Sequence, residues 1–207
     1  MKIGFIGQGF VGHSMATAIE SYVTTKTGNK VLRGSQVIRY DLKAPYNKNK
    51  ELIKDCEVVF VCVPTPSING EFHDEILINA IKENTVKGQV IVIKSTIVVG
   101  TTDKIQKKFP DRYIIHSPEF LSEVTALKDA LNPKRNVFGY TKKSKCKVKL
   151  VSLLVPPVPA THEMFVPAKE AELIKYASNC FLFSKVLFAN SLYDICQKKG
   201  IDYKVIK

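Results

Sequence analysis

Lys2-Ile3-Gly4-Phe5-Ile6-Gly7-Gln8-Gly9-Phe10-Val11-Gly12 opens the chain. A short apolar run leads straight into a G-x-G-x-x-G spacing, and a helix-compatible stretch from His13 to about Tyr22 follows. In that setting each glycine has its own task. Gly7 permits a tight turn, Gly9 lets the backbone approach a pyrophosphate, and Gly12 lets the helix pack close to the strand. The start of the helix then offers N–H groups that lack intrahelical acceptors, and its positive end, to phosphate. The competing reading is a plain tight turn between a strand and a helix.

Working outward, Val37–Tyr40 reads as a second strand ending in Asp41. Residues 24–35 form a polar connection, longer than such connections usually are. Leu52–Asp55 reads as the end of a short helix. Glu57–Val63 and Gln89–Lys94 are continuous apolar runs of the kind buried on both faces of a parallel sheet. Pro64-Thr65-Pro66 ends the first of them, since proline cannot continue the ladder. Helical spacing marks Glu75–Thr85 and about Thr102–Lys108, and Arg112–His116 is another short strand. Strands thus alternate with helices from residue 2 to about 155, which predicts an α/β fold with a doubly wound parallel sheet. Four prolines (156, 157, 159 and 167) mark residues 156–167 as a linker. From Ala168 to about Lys199 apolar residues recur at helical spacing, predicting one long helix with a wide apolar face that needs a partner surface.

The 207 residues are enough for one good core or a domain plus part of a second, and 45% hydrophobic with 24% charged residues argues against disorder. No apolar run reaches the ~18 residues of a membrane span. Met1 leads directly into the first strand, so no basic-then-apolar leader is expected. Five widely spaced cysteines without a C-x-x-C pair argue against a disulfide framework or a metal site and favour a reducing cytoplasm. The formal charge is +12. Only four of the 31 basic residues are arginines, and base reading favours the arginine fork. The densest patch, Lys142, Lys143, Lys145, Lys147 and Lys149, therefore reads as a solvated surface, and no nucleic-acid or membrane partner is expected.

Asp41 stands 29 residues after Gly12 at the end of the second strand, and the polar connection accounts for the long spacing. A carboxylate there accepts from both ribose hydroxyls of NAD and repels the 2′-phosphate of NADP. Arg39 and Lys43 flank it and soften that preference. Pro64-Thr65-Pro66 and Ser95-Thr96 lie past strand ends, where ligands bind in this architecture; each is also explicable as a turn. Glu119 and Glu123, if helical, share one face at i, i+4. Glu172, Lys175 and Asn179 share a stripe of the long helix, where lysine and asparagine one turn apart make a donor pair for an oxyanion.

In this order the motifs resemble those of the UDP-glucose/GDP-mannose dehydrogenase family. The matching strings are Gly4 to Gly12, Val63-Pro64-Thr65-Pro66, Lys94-Ser95-Thr96 with Gly100-Thr101-Thr102, Ser117-Pro118-Glu119-Phe120-Leu121, Asn132-Pro133-Lys134-Arg135 with Gly139, and Glu172 to Leu182 followed by Asn190. The resemblance implies a Rossmann-like NAD domain over residues 1–160. It implies a linker and the first helix of a central dimerisation domain over 161–207, and a homodimer through the 168–199 helix. It implies oxidation of a nucleotide sugar's C6 alcohol to a carboxylate by two successive NAD molecules, with a cysteine holding the aldehyde as a thiohemiacetal and then a thioester. UDP-glucose is the expected substrate; GDP-mannose and a UDP-N-acetyl sugar are the alternatives, and a catalytically dead NAD-binding module is a further one. Carried over by position, Lys175 and Asn179 stabilise oxyanions, Glu119 is the acid/base of thioester hydrolysis and Thr96 places water. Glu119, Leu121, Glu123, Lys175 and Asn179 line the substrate site. Gly7, Gly9, Phe10, Val11, Gly12, Asp41, Pro64, Thr65, Thr96 and Glu123 contact NAD.

The chain departs from the family pattern at His116, where asparagine is usual, at Val124, where glycine is usual, and at Val98-Val99, where a proline-containing turn is usual. The family's nucleophilic cysteine lies in a glycine-rich motif beyond the long helix, and none of the five cysteines has that context. Cys180 is expected in the core of the helix packing. The chain by itself is therefore expected to bind NAD without turnover.

Overall fold

The computed structural model describes residues 1–25, 32 and 34–207. The polar connection expected over 24–35 falls largely outside the described residues. The chain divides into two compact units, residues 1–173 and 174–207.

In the first unit, β1 (Lys2–Ile6), α1 (Phe10–Thr25), β2 (Gln36–Tyr40), α2 (Lys50–Ile53) and β3 (Val58–Val61) come first. A small hairpin, β4 (Ser67–Ile68) and β5 (Glu71–Phe72), precedes α3 (Glu75–Asn84), β6 (Val90–Ile93), α4 (Thr101–Lys108) and β7 (Tyr113–His116). Then come α5 (Ala126–Leu131), β8 (Asn136–Tyr140), α6 (Val148–Ser152), β9 (Glu163–Pro167) and the start of α7 (Ala168–Lys199). Among the described residues the main sheet is seven-stranded, in the order β2-β1-β3-β6-β7-β8-β9.

The period-2 alternation of each central strand feeds two cores. Ile3 and Phe5 of β1, Val58 and Phe60 of β3, and Val90 and Val92 of β6 pack with α1, α5 and α6 on one face. Ile6, Val59, Val61, Ile91 and Ile93 pack with α2, α3 and α4 on the other. Both faces are covered, which explains why these strands read as unbroken apolar runs. Phe5 and Phe60 stack across neighbouring strands with centroids 4.8 Å apart, an arrangement that adds to their area burial.

Several expectations are corrected. The sheet is not wholly parallel: β8 pairs antiparallel with β7. The stretch expected as a linker over 156–167 holds β9, which pairs with β8 along its whole length. Proline 167 is tolerated because β9 is the edge strand. Helix α1 begins at Phe10, inside the glycine motif, rather than at His13.

Residues 174–207 contain the rest of α7 and a short helix, α8 (Tyr203–Ile206). Tyr193 and Tyr203 meet edge to face at 5.5 Å, and Asp202 caps α8 by accepting from the Lys204 N–H. Cys180, expected in the core, is exposed, because the apolar side of α7 around it is itself uncovered, with Phe181 65% and Phe188 70% exposed.

Two thiols, Cys56 and Cys62, are held in the unreactive form by their surroundings. Burial pushes Cys56 up to about 12, with Glu57 adding to the rise. Burial likewise pushes Cys62 up to about 12, against the lowering pull of Lys94 and with a further rise from Glu119. Since the thiolate is the reactive form, iodoacetamide at pH 8 is expected to label exposed Cys146 and Cys180 and to reach Cys56 and Cys62 only on unfolding. Peptide mapping of the alkylated native protein checks this, and labelling of Cys62 as fast as Cys180 would contradict it.

Candidate functional site

The glycine turn is fixed by contacts on three sides. The Gly7 N–H donates to the Tyr40 carbonyl at the end of β2 (2.9 Å), and the Cys62 N–H donates to the Ile6 carbonyl (2.8 Å). Gly7 itself has φ +88°, and a Cβ there would lie 2.7 Å from the Cys62 carbonyl oxygen. A Cβ on Gly12 would lie 1.9 Å from the Gly7 carbonyl oxygen, so α1 reaches the turn only because residue 12 is glycine. A Cβ on Gly9 would meet nothing within 4 Å. The backbone at Gly9 is bordered by open space, as a pyrophosphate cradle needs. Phe10 and Val11 follow as the first residues of α1, with Phe10 48% exposed.

Asp41 is joined to this turn directly. Its Oδ2 accepts from the Gln8 N–H at 2.6 Å and its Oδ1 accepts from the Lys43 N–H at 3.0 Å. Each carboxylate oxygen keeps a lone pair after one such bond, so the group is oriented yet still able to accept from a diol. The Arg39 guanidinium, expected to soften the preference against NADP, is instead engaged by Glu20 at 2.6 Å and Thr17 at 3.2 Å on α1. Lys43 contributes its backbone N–H.

Next to the turn the carboxyl ends of β3 and β6 are stitched together. The Thr65 hydroxyl donates to the Thr96 carbonyl (2.7 Å), and the Ser95 hydroxyl donates to the Val63 carbonyl (2.6 Å). The threonine and serine protons are thus committed to shaping the loops, with Pro64 between Val63 and Thr65, and Thr96 remains half-buried. The chain leaves β1 toward β2 on one side while β3 lies on the other. That is a topological switch point, where such sheets open a ligand crevice.

Glu119 follows β7 at the same edge. The expected helix carrying Glu119 and Glu123 on one face does not form: residues 117–122 are irregular and Glu123 opens a one-turn 3-10 helix. The Glu119 side chain folds back to accept from the Leu121 N–H at 2.6 Å, which suits a turn and not an i, i+4 helix face. Leu121 packs against the core while Glu123 is exposed. Lys94, given no role in the sequence reading, is a buried cation at the end of β6, donating to the Ser117 hydroxyl (3.2 Å) and the Pro118 carbonyl (3.3 Å). A lysine closing an otherwise apolar strand was the available signal.

Glu172 belongs to the first unit and has a structural task the sequence did not reveal. Fully buried, it accepts from the Gly100 N–H (2.5 Å), the Thr102 N–H (2.7 Å) and the Thr102 hydroxyl (2.6 Å), closing the start of α4. In the second unit Lys175 is buried and Asn179 exposed, one turn apart on α7.

The chain thus brings together Gly7, Gly9, Gly12, Asp41, Pro64, Thr65 and Thr96. The open space at Gly9, the close passage at Gly12 and the oriented Asp41 carboxylate fit an NAD-type dinucleotide. Among the described residues no cluster of three or more potential ligands suits a metal ion.

Comparison with known proteins agrees. Residues 39–154 match the NAD binding domain of the UDP-glucose/GDP-mannose dehydrogenase family, and residues 169–207 match the family's central domain. An uncharacterized protein of Methanocaldococcus jannaschii is 33% identical over 100% of this chain, which covers 26% of that protein. UDP-glucose 6-dehydrogenase of Rickettsia conorii is 30% identical over 99% of this chain and 54% of its own length. The solved UDP-D-ManNAc dehydrogenase of Pyrococcus horikoshii superposes with a TM-score of 0.81 at 19% identity, covering 100% of this chain and 56% of that one. The chain spans between a quarter and just over half of these relatives. With residues 39–154 carrying the family's NAD-binding signature, the chain belongs to the UDP-glucose/GDP-mannose dehydrogenase family and its cofactor is NAD.

Proposed function

We propose that this chain forms the cofactor half of an NAD-dependent nucleotide-sugar 6-dehydrogenase that converts UDP-glucose to UDP-glucuronate. The observation that carries the reading is the Asp41–Gln8 hydrogen bond, which ties the ribose-reading carboxylate to the phosphate-binding turn. NAD, when bound, supplies the hydride acceptor. Residues 1–160 provide its site, with β9 extending the same sheet, and residues 161–207 begin the central part. Asp41 holds the adenosine ribose, and Gly7, Gly9, Gly12, Phe10 and Val11 receive the pyrophosphate. Pro64, Thr65, Thr96 and Glu123 border the rest. Glu119 moves a proton to and from water placed by Thr96, and Leu121 and Glu123 flank the sugar. Lys175 and Asn179 donate to oxyanions that develop at C6. The nucleophilic thiol is supplied from outside these residues, since buried Cys56 and half-buried Cys62 have raised pKa, and Cys146, just before α6, and Cys180 and Cys196, in α7, have no glycine-rich turn.

Calorimetric titration tests the cofactor half. The chain is expected to bind NAD in preference to NADP, and Asp41→Ala is expected to weaken NAD about tenfold or more while narrowing the preference. With this chain alone, UDP-glucose and NAD are expected to yield no NADH. The natively expressed protein is expected to reduce NAD with UDP-glucose faster than with GDP-mannose or a UDP-N-acetyl sugar. NADH formation with none of the three would contradict the reading.

The same reading assigns a partner to α7. Its exposed Phe181, Leu182, Phe183, Val186, Leu187 and Phe188 (56–70% exposed) make an apolar surface larger than isolated side chains require. The residues lie in the stretch matching the family's central domain, and the proposed occupant is a second copy of this chain. Sedimentation is expected to show a dimer that Phe181→Glu with Phe188→Glu converts to monomer, and a wild-type monomer at tens of micromolar would contradict it.

A further inference from the structure

A groove of about 780 Å³ runs beside α4, and its walls are cationic. Lys104 and Lys107 come from α4, Lys142 and Lys143 from the turn after β8, and Lys169 from the start of α7, against a lone lining carboxylate, Asp103. Lys104 is neutralised in part by Asp74 at 2.7 Å. The other four have no ion pair assigned to them among the described residues.

The floor is rigid and already satisfied. The Gln106 amide donates to the Phe109 and Arg112 carbonyls, and its oxygen accepts from the Ile114 N–H and the Thr141 hydroxyl. The walls are held as well. Lys143 donates to the Pro110 carbonyl. Lys143 and Lys147 both stand over the Tyr113 ring, at 5.1 and 5.2 Å from its centroid. Two ammonium groups share one ring, and Lys104, Lys107, Lys142 and Lys169 line the groove with Lys143, so an anion seated there would be attracted from several sides.

The Thr141–Lys143 wall of the groove lies away from the dinucleotide turn, while Gly100 at its other end follows Thr96 by four residues. Four strand spacings, roughly 19 Å, lie between β1 and β8. Thr141–Lys143 leave β8, which runs antiparallel to β7 and so heads away from the edge where Gly7, Asp41 and Thr96 sit. The chemistry of the lining narrows the ligand. Lysines are compact point charges, suited to spread phosphate charge, and no arginine fork is present for a single carboxylate or base edge. No aromatic ring lines the groove, so no platform for stacked bases exists. Four to five cations exceed what one phosphate neutralises, and the volume admits a chain of them.

We propose that this groove binds an oligophosphate chain, either inorganic or carried by a nucleotide, at a site independent of NAD. Inorganic tripolyphosphate, titrated calorimetrically into the wild-type chain at two salt concentrations, is the probe. Saturable one-to-one binding that weakens as salt rises and persists at saturating NAD is expected. Lys107→Glu with Lys142→Glu is expected to weaken it about tenfold or more, while the control pair Lys82→Glu with Lys87→Glu, of equal net charge and outside the groove, stays within about twofold. ATP matching tripolyphosphate would identify the phosphate chain alone as what is read, and tighter ATP binding would identify a nucleotide source. No saturable binding, competition by NAD, or equal loss in both double variants would overturn the proposal. Duplex DNA binding more tightly than tripolyphosphate would also overturn it, in favour of a nucleic-acid surface.

Discussion

The close passage of α1 over the end of β1 is the constraint on which the rest of the structure depends. Position 12 tolerates no side chain, because even a methyl group would stand 1.9 Å from the Gly7 carbonyl oxygen. With that approach in place, the Gln8 N–H is presented to Asp41, and the ends of β1, β2 and β3 come level. The same approach sets α1 onto Ile3, Phe5, Val58 and Phe60, so the geometry of the site and one of the two cores are decided together. The second core, under α2, α3 and α4, is built from the alternate residues of the same strands, such as Ile6, Val61 and Ile93. A residue change in either core is therefore transmitted to the turn through shared strands, which move as rigid, close-packed units.

Much of this was legible in the residues because local and global signals agree there. The unbroken runs Val58–Val61 and Val90–Ile93 are interpretable as doubly buried parallel strands, and they are. The glycine spacing, read with its flanking strand and helix, located the tight turn between β1 and α1. What failed to show had a physical reason in each case. β8 carries Asn136 and Gly139, weak strand residues, and Gly139 is required because a Cβ would lie 2.4 Å from the Ala171 Cβ. β9 hides in a proline-rich stretch because an edge strand can lose a donor without losing a ladder. Glu119 and Glu123 match a helical spacing, but the Glu119 carboxylate binds the Leu121 N–H instead. No sequence pattern connects Glu172 with Gly100 and Thr102, some 70 residues away, although that buried carboxylate closes the start of α4.

Charge divides the molecule in a way composition alone concealed. The +12 total suggested one diffuse surface property. In the fold, Arg39 is absorbed by Glu20, Arg112 by Asp111, and Lys94 is buried beneath the Glu119 turn. The lysines after β8 instead stand over Tyr113, Tyr140 and Phe165, where aromatic faces hold ammonium groups in place at modest cost. Arg39, beside Asp41, is thus paired while lysines elsewhere are gathered.

The central claim is that the dinucleotide is read by the Gly7–Gly12 turn together with Asp41. A crystal structure of the chain grown with NAD tests it most directly. The account predicts the pyrophosphate beside the Gly9 backbone at the start of α1, with the adenosine ribose hydroxyls hydrogen-bonded to the Asp41 carboxylate while its bond to Gln8 persists. Well-ordered NAD seated away from the turn, or at the turn with its ribose clear of Asp41, would contradict it.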